Sequence, residues 1–338
     1  MKNKVIFYSS VKSKSLFLTQ KFYQIDIDIL QRMGYEVILS NKIVDAFQFW
    51  KYDVVFAYFF RYSFFFGLVA RLFGKPVYLT GGIDALDIDY AGVKAYKIQK
   101  LFFRLCYMVA TKCIIVSKTD LSHVEEIIGI KAKKLAFSEH TIDTKAFCNT
   151  DLADKEPNFC TIGWMGDIEN VKRKGIDKAI CLFSSIKKRP EFRFSKFYIM
   201  GKIGEGTNLL EEIIKELHLE DSVIITGEVS EQEKIQTLKN CMFYFQISHY
   251  EGFGIAALEA LIAGCIVIHS GKGGLSNSIY KDHILVDINA NFEYQTQFVC
   301  EKLLSIDMNV IQKNAKECLT YYDNMRRLKD FEAIIKSN

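Results

Sequence analysis

The sequence lacks a run that reads as a membrane span. The nearest approach, residues 56–73, is interrupted by Arg61 and Arg71 and ends at Gly74-Lys75-Pro76, whereas a spanning helix needs about 20 mostly apolar residues. It also lacks any Cys-x-x-Cys pair. Its nine cysteines (106, 113, 148, 160, 181, 241, 265, 300, 318) are scattered and odd in number. That pattern excludes a disulfide frame and a structural zinc site, and points to reduced thiols and a cytoplasmic protein. Charge of one sign is missing as well: 44 Lys and Arg against 40 Asp and Glu leave a net +4. With no zinc-finger or single-strand-binding pattern, no nucleic-acid partner is expected. The six histidines are dispersed, and no nucleophile triad of known spacing is present. Repeats and low-complexity tracts are absent, and Met1-Lys-Asn-Lys runs directly into Val5-Ile-Phe-Tyr. This reads as a first strand with no apolar leader, so no secretory signal is expected.

What remains is ordinary globular composition, 49% apolar and 25% charged over 338 residues, enough for two cores. Short β-rich runs alternate with longer helical ones. In the first half the β runs are 5–9, 35–40, 53–58, 76–80 and 113–117, with helical patterns at 18–33, 62–73 and 91–110. In the second half the β runs are 159–164, 197–200, 223–226, 243–247 and 266–269, with helical patterns at 175–187, 207–217, 231–239 and 254–263. Repeated βα units predict parallel sheets covered by helices on both faces. The charged, apolar-poor stretch 144–158, with Pro157, reads as a linker. The expected organisation is therefore two Rossmann-like domains, 1–150 and 151–320, and a terminal amphipathic helix over 321–338. Ligands of open α/β sheets sit beyond the carboxyl ends of the strands, which leads to the expectation of a site where two such sheets face a central cleft.

The most informative stretch is 249–277. Glu251 and Glu259 stand eight positions apart, with Gly252, Phe253 and Gly254 behind the first and an apolar helical run after them. A loop turning into a helix N-terminus offers free N–H groups and a dipole that favour an anion, and glycines let the backbone come close. Carboxylates on either side suit hydroxyls, so a nucleoside-diphospho-sugar fits: sugar at one end, ribose at the other. Alone, the same pattern also describes a plain helix with two exposed acids. A second basic feature, Lys172-Arg173-Lys174-Gly175, precedes the helical pattern 175–187. Cations at a helix start are unfavourable unless an anion is held there.

Order and spacing of this stretch, of Phe197-Tyr-Ile-Met-Gly201-Lys-Ile-Gly204, of Asp221–Ser230 and of Cys241–Ser248 resemble the C-terminal domain of the retaining GT-B glycosyltransferases of family 4, over residues 159–290. The resemblance is looser over 1–150. It implies a donor sugar nucleotide held mainly by the C-terminal domain, an acceptor held by the N-terminal one, a terminal helix 321–338 packing back on the N-terminal domain, and no metal or other cofactor. Residue by residue, it implies that Lys174 meets the diphosphate with Arg173 or Lys172 beside it, and that Glu251 holds donor-sugar hydroxyls. Glu259 would accept from the ribose, the N–H groups of Gly252, Phe253 and Gly254 would lie near sugar and phosphate, and Gly201 and Val229 would shape the base pocket. The chain departs from the family in three places. The usual Gly-Arg after the first strand of this domain is Gly163-Trp164 and Gly166-Asp167. The usual Gly-Gly loop near the N-terminus is Ser9-Ser10-Val11-Lys12-Ser13. The usual His-Gly-x-Asp is Gly81-Gly82-Ile83-Asp84, without the histidine, which leaves Asp84 as the acceptor contact or base, or as a mere turn cap.

The expected activity is transfer of a hexose-type sugar to a glycan or lipid-linked acceptor in bacterial surface polysaccharide assembly. A sugar-nucleotide epimerase of the same fold, or a non-catalytic relative acting as a partner protein, are the alternatives. Lys94, Lys97, Lys100 and Arg104 recur along one helix face with bulky apolar neighbours, a pattern that fits contact of helix 91–110 with an anionic membrane surface.

Overall fold

The computed structural model describes residues 3–129, 133–147, 155–279, 282–287 and 289–336. Cys148 and residues 148–154 of the expected linker lie outside them. The chain divides into two compact units, Met1–Asp143 with Tyr322–Asn338, and Thr144–Tyr321. The flanks of the linker stretch are ordered. Thr144–Phe147 is a 3-10 turn with Thr144 and Phe147 buried, and Pro157 lies within a strand that begins at Glu156.

In the first unit, strands β1 (Lys4–Tyr8), β2 (Glu36–Ser40), β3 (Val54–Tyr58), β4 (Val77–Thr80), β5 (Lys112–Ile115) and β6 (Leu135–Phe137) form, among the described residues, a parallel sheet in the order β2-β1-β3-β4-β5-β6. Every residue of β3 is buried, as a parallel strand covered on both faces requires. Side chains alternate between two cores. Ile6, Val55, Leu79 and Ile115 pack on one face of the sheet. On the other, Val5, Phe7, Phe56 and Ile114 pack with Phe331 of the terminal helix Asn324–Lys336.

That helix is tied to the unit by a buried cation. Arg327 is fully buried and donates from Nε and Nη2 to the two Asp26 oxygens at 2.6 and 2.8 Å. It also reaches the Ser138 carbonyl at 2.5 Å. Tyr58 Oη donates to Asp26 at 2.5 Å, so the charge pair is hydrogen-bonded on all sides, the condition under which a buried pair is tolerated.

The second unit holds β7 (Glu156–Ile162), β8 (Phe197–Met200), β9 (Val223–Gly227), β10 (Cys241–Gln246), β11 (Ile266–His269) and β12 (Ile284–Leu285), again parallel among the described residues, in the order β12-β11-β10-β7-β8-β9. Phe159, Phe243 and Phe245 stack across β7 and β10, with ring centroids 4.6 and 5.2 Å apart. Strand order reverses between β7 and β10, so the crevice at their carboxyl ends is where an open α/β sheet binds ligands. Among the described residues no helix is long and apolar enough to cross a membrane.

Candidate functional site

The segments that follow β7 and β10 meet at this reversal point. After β7 the chain forms a short helix, Ile168–Lys174, capped by Asp167, whose Oδ1 accepts from the Asn170 N–H at 2.7 Å. Lys172, Arg173 and Lys174 occupy its last turn. The helix expected over 175–187 begins directly after these cations, at Ile176, while the cations themselves close a separate short helix whose carbonyl end favours them. The chain then turns at Gly175, φ +66°, into the helix Ile176–Ile186. A Cβ at Gly175 would lie 2.1 Å from the Ile247 carbonyl oxygen, so only glycine lets this turn press against the end of β10. The His249 N–H donates to the Arg173 carbonyl at 2.8 Å and completes the junction.

Lys174 thereby reaches Glu251. Its Nζ lies 2.5 Å from Glu251 Oε1. The same oxygen accepts from Ser248 Oγ at 2.7 Å and from Gln246 Nε2 at 3.0 Å. Tyr244 Oη donates to Gln246 Oε1 at 3.1 Å. Burial alone would raise the Glu251 pKa. The Lys174 ammonium, then the Ser248 hydrogen bond and the nearby Arg173, outweigh it and hold the carboxyl below its ordinary value. Glu251 is thus an ionised, fixed carboxylate. Arg173 is itself positioned by Asn170 Oδ1, at 3.0 Å from Nη2.

The turn after Glu251 is equally constrained. Gly254 has φ +86° and caps the helix Ile255–Ile262, and a Cβ there would strike Leu275 at 2.4 Å. Phe253 is buried, and its carbonyl accepts from Ser278 Oγ at 2.9 Å. Gly274 N–H donates to the Glu251 carbonyl at 2.7 Å. Gly273, φ +62°, passes so close that its Cβ would lie 2.2 Å from the same oxygen. Three glycines, Gly254, Gly273 and Gly274, therefore fix where Glu251 and the helix N-terminus sit.

Residues 257–262 are all buried, and Glu259 is the sole charge of that helix. A buried carboxylate needs a partner, and Lys234 supplies it, with Nζ at 2.9 and 2.8 Å from the two oxygens. Lys234 also lies 3.0 Å from Glu231. Burial lowers the lysine pKa, but the two carboxylates raise it further, Glu259 foremost, so it stays charged. Lys234, Gln246 and Ser248 were not singled out in the sequence. The signals for them were there: a lone acid in an apolar helix, and a polar alternation Tyr244, Gln246, Ser248 along a strand whose other face is Phe243, Phe245, Ile247.

Gly201 follows β8 with φ +146°, and a Cβ there would lie 1.9 Å from the Gly163 carbonyl oxygen. Its glycine identity has this packing reason. Val229 is half-buried just before Ser230, which caps the helix Glu231–Asn240 and sets Lys234 in place. His249 Nε2 sits 3.4 Å from Lys178 Nζ, and burial followed by that cation lowers its pKa.

Asp84 belongs to the first unit, where it opens a 3-10 turn, Asp84–Leu86, beyond the end of β4. The capping of the helix that follows is done by Asp87, whose Oδ1 accepts from the Tyr90 N–H at 2.9 Å. Ser9, the first residue of the segment that stands in place of the family's Gly-Gly loop, is buried and bonded to Tyr23 Oη at 2.8 Å. That hydroxyl belongs to the core.

Two parallel Rossmann-like units define the class: the fold is GT-B. Residues 162–296 match the family model of glycosyl transferases group 1, so the second unit carries a glycosyl transferases group 1 domain. The chain is 24% identical over 251 residues to GDP-mannose:cellobiosyl-diphosphopolyprenol alpha-mannosyltransferase of Xanthomonas oryzae pv. oryzae, covering 71% of this chain and 62% of that protein. It is 25% identical over 213 residues to mannosylfructose-phosphate synthase of Agrobacterium fabrum, covering 60% and 46%. It therefore spans less than two thirds of the length of either relative. Among solved structures, Anabaena HepE in complex with UDP and glucose superposes with a TM-score of 0.74 at 14% identity, over 99% of this chain and 100% of that one. Sucrose-phosphate synthase from Thermosynechococcus elongatus gives 0.74 at 13%, over 99% of each chain. These likenesses establish the fold.

Proposed function

We propose that this protein is a retaining, metal-independent glycosyltransferase of the family 4 type. It transfers a hexose-type sugar from a nucleoside diphosphate to a glycan or lipid-linked acceptor. The observation that carries the proposal is the Lys174–Glu251 pair beside a glycine-built helix N-terminus, at the strand-order reversal of a glycosyl transferases group 1 domain. The relatives add support: one is named a GDP-mannose:cellobiosyl-diphosphopolyprenol alpha-mannosyltransferase, and HepE was crystallised with UDP-glucose.

In this reading the donor diphosphate lies against the first turn of the helix Ile255–Ile262, with N–H groups of Gly252, Phe253 and Gly254 and the cations Lys174 and Arg173 around it. As the anomeric C–O bond breaks, negative charge grows on the departing phosphate, where fixed cations and amides act most strongly. They do the work a metal would otherwise do. Glu251 accepts from donor-sugar hydroxyls and Glu259 from the ribose, while backbone at Gly201 and Val229 borders the base. The acceptor oxygen attacks from the face the phosphate leaves, and its proton passes to a phosphate oxygen. Configuration is retained without a covalent sugar–enzyme intermediate, and Asp84 contacts the acceptor or serves as its base. The protein acts in the cytoplasm, in assembly of bacterial surface polysaccharide.

Incubation with UDP-, GDP-, ADP- and TDP-sugars tests the reading. A transferase slowly releases free nucleoside diphosphate from at least one donor, with or without EDTA. An interconverted sugar would instead mark an epimerase, and binding without turnover a partner protein. Glu251→Ala should abolish release, and unchanged turnover in that variant would remove the site assignment.

A further inference from the structure

The first unit presents a face that its own fold does not explain. Three neighbouring elements build it: the segment Ile43–Lys51, the helix Ser63–Leu72 and the helix Ile88–Val109, the last broken at Gly92, φ +74°. Phe49 stacks on Phe73 with centroids 3.8 Å apart, and Phe65 meets Phe102 edge-on at 6.3 Å, so the three run side by side. The long helix buries Phe103, Cys106 and Val109 against the sheet. Its opposite side carries Lys94, Lys97, Ile98, Leu101, Arg104 and Met108, all exposed. Leu101 is 57% and Met108 70% exposed. Gathered on one face with the neighbouring elements, such residues mark an interaction surface. The adjacent helix does the same with Phe65, Leu68 and Leu72, the last 77% exposed, and the segment before it with Val44, Phe47 and Trp50, the last 69% exposed.

Beyond Asp89, which stands in the first turn of the long helix ahead of the break at Gly92, charge on this face is of one sign. Residues 54–83 contain Arg61, Arg71 and Lys75 and no carboxylate; residues 90–119 contain Lys94, Lys97, Lys100, Arg104, Lys112 and Lys118 and again none. The single acid of the segment Ile43–Lys51, Asp45, accepts from Ser40 Oγ at 2.7 Å. Aromatic rings hold some of the cations in place: Arg61 lies 5.9 Å from the Phe102 centroid and Lys100 5.6 Å from Tyr96.

We infer that this face docks on an anionic lipid bilayer, with the cations at the headgroup phosphates and Trp50, Leu72, Leu101 and Met108 in the acyl boundary. The combination selects that occupant. Apolar side chains in the headgroup region and cations toward anionic lipid are what an interfacial surface requires, and tryptophan prefers that depth. A second copy docked through the same patch would set cations against cations. A nucleic-acid backbone would use the cations but leave Leu72, Leu101 and Met108 without a role. The inference does not depend on the transferase reading, and its test uses no sugar donor.

The sequence has two tryptophans, Trp50 and Trp164. In a Trp164→Phe background Trp50 alone reports insertion. The full chain should bind vesicles of phosphatidylglycerol and phosphatidylcholine, with a blue shift and quencher protection of Trp50, and should not bind phosphatidylcholine alone. Lys97→Glu/Arg104→Glu should weaken the partition by roughly tenfold or more, and high salt should weaken it likewise. Leu72→Ser/Leu101→Ser should remove the Trp50 shift, with circular dichroism confirming that these surface variants fold. No binding to anionic vesicles overturns the inference, as does binding in which Trp50 stays unshifted. Self-association or duplex DNA binding lost in the same variants, without vesicle binding, would assign the face to that other occupant.

Discussion

Glu251 and Glu259 are two buried carboxylates whose lysine partners differ in what they leave available. Lys174 bonds one Glu251 oxygen, whereas Lys234 engages both oxygens of Glu259. Lys174→Ala is expected to lower turnover by about 10²–10³-fold, the usual cost of losing one donor to a charge that grows in the transition state, with the nucleoside diphosphate released per minute as the measurement. Lys234→Met strands a buried carboxylate and should destabilise the second unit by about 3–5 kcal/mol, read by urea unfolding; Lys234→Arg should recover most of it. The two glutamates were legible in the sequence because their eight-residue spacing brackets a glycine turn. Lys234 was not, because its pairing depends on where two separate helices come to rest.

At the scale of elements, ten of the strands were readable as β-branched and aromatic runs of four to seven residues, whereas the three-residue β6 was too short to read. The helix Ile168–Lys174 was not readable either. Its seven residues are too few for a periodic pattern, and only the cap at Asp167 announces it. β12 is two residues long and carries no periodicity at all. The sheet edge between β11 and β12 makes a further prediction. His283 Nδ1 accepts from the Val267 N–H at 2.9 Å, and burial, aided by neighbouring His269, lowers its pKa to about 3. Burial lowers His269 to about 4. Both histidines are neutral in the native state, and the unfolded chain takes up protons below the ordinary value of 6.5. Their contribution to stability is complete above pH 6.5 and falls away as pH drops toward 4 and then 3. Thermal unfolding from pH 7 to 4 should therefore show a falling midpoint. His283→Asn, which keeps an acceptor for Val267, should flatten the slope; an unaltered slope would contradict this account.

For the whole molecule, composition and alternation reveal two α/β units, but the return of the chain to the first unit is written in one pair. Asp26 and Arg327 lie 301 positions apart and are each fully buried. No local pattern signals such a pair; an amphipathic helix at the end of the sequence was legible, its buried arginine was not. Arg327→Ala leaves Asp26 and Tyr58 buried without their cation and should cost about 3–5 kcal/mol, seen as a lower midpoint of chemical unfolding. Tyr58 would then lose the neighbour that opposes the upward push of burial and Asp26 on its pKa.

A crystal of the protein soaked with a nucleoside diphosphate tests the central claim most directly. The account predicts phosphate oxygens within hydrogen-bond reach of the amides that open the helix Ile255–Ile262 and of Lys174 Nζ, with a ribose hydroxyl on Glu259. A nucleotide bound at another place, with those amides and Lys174 untouched, would contradict it.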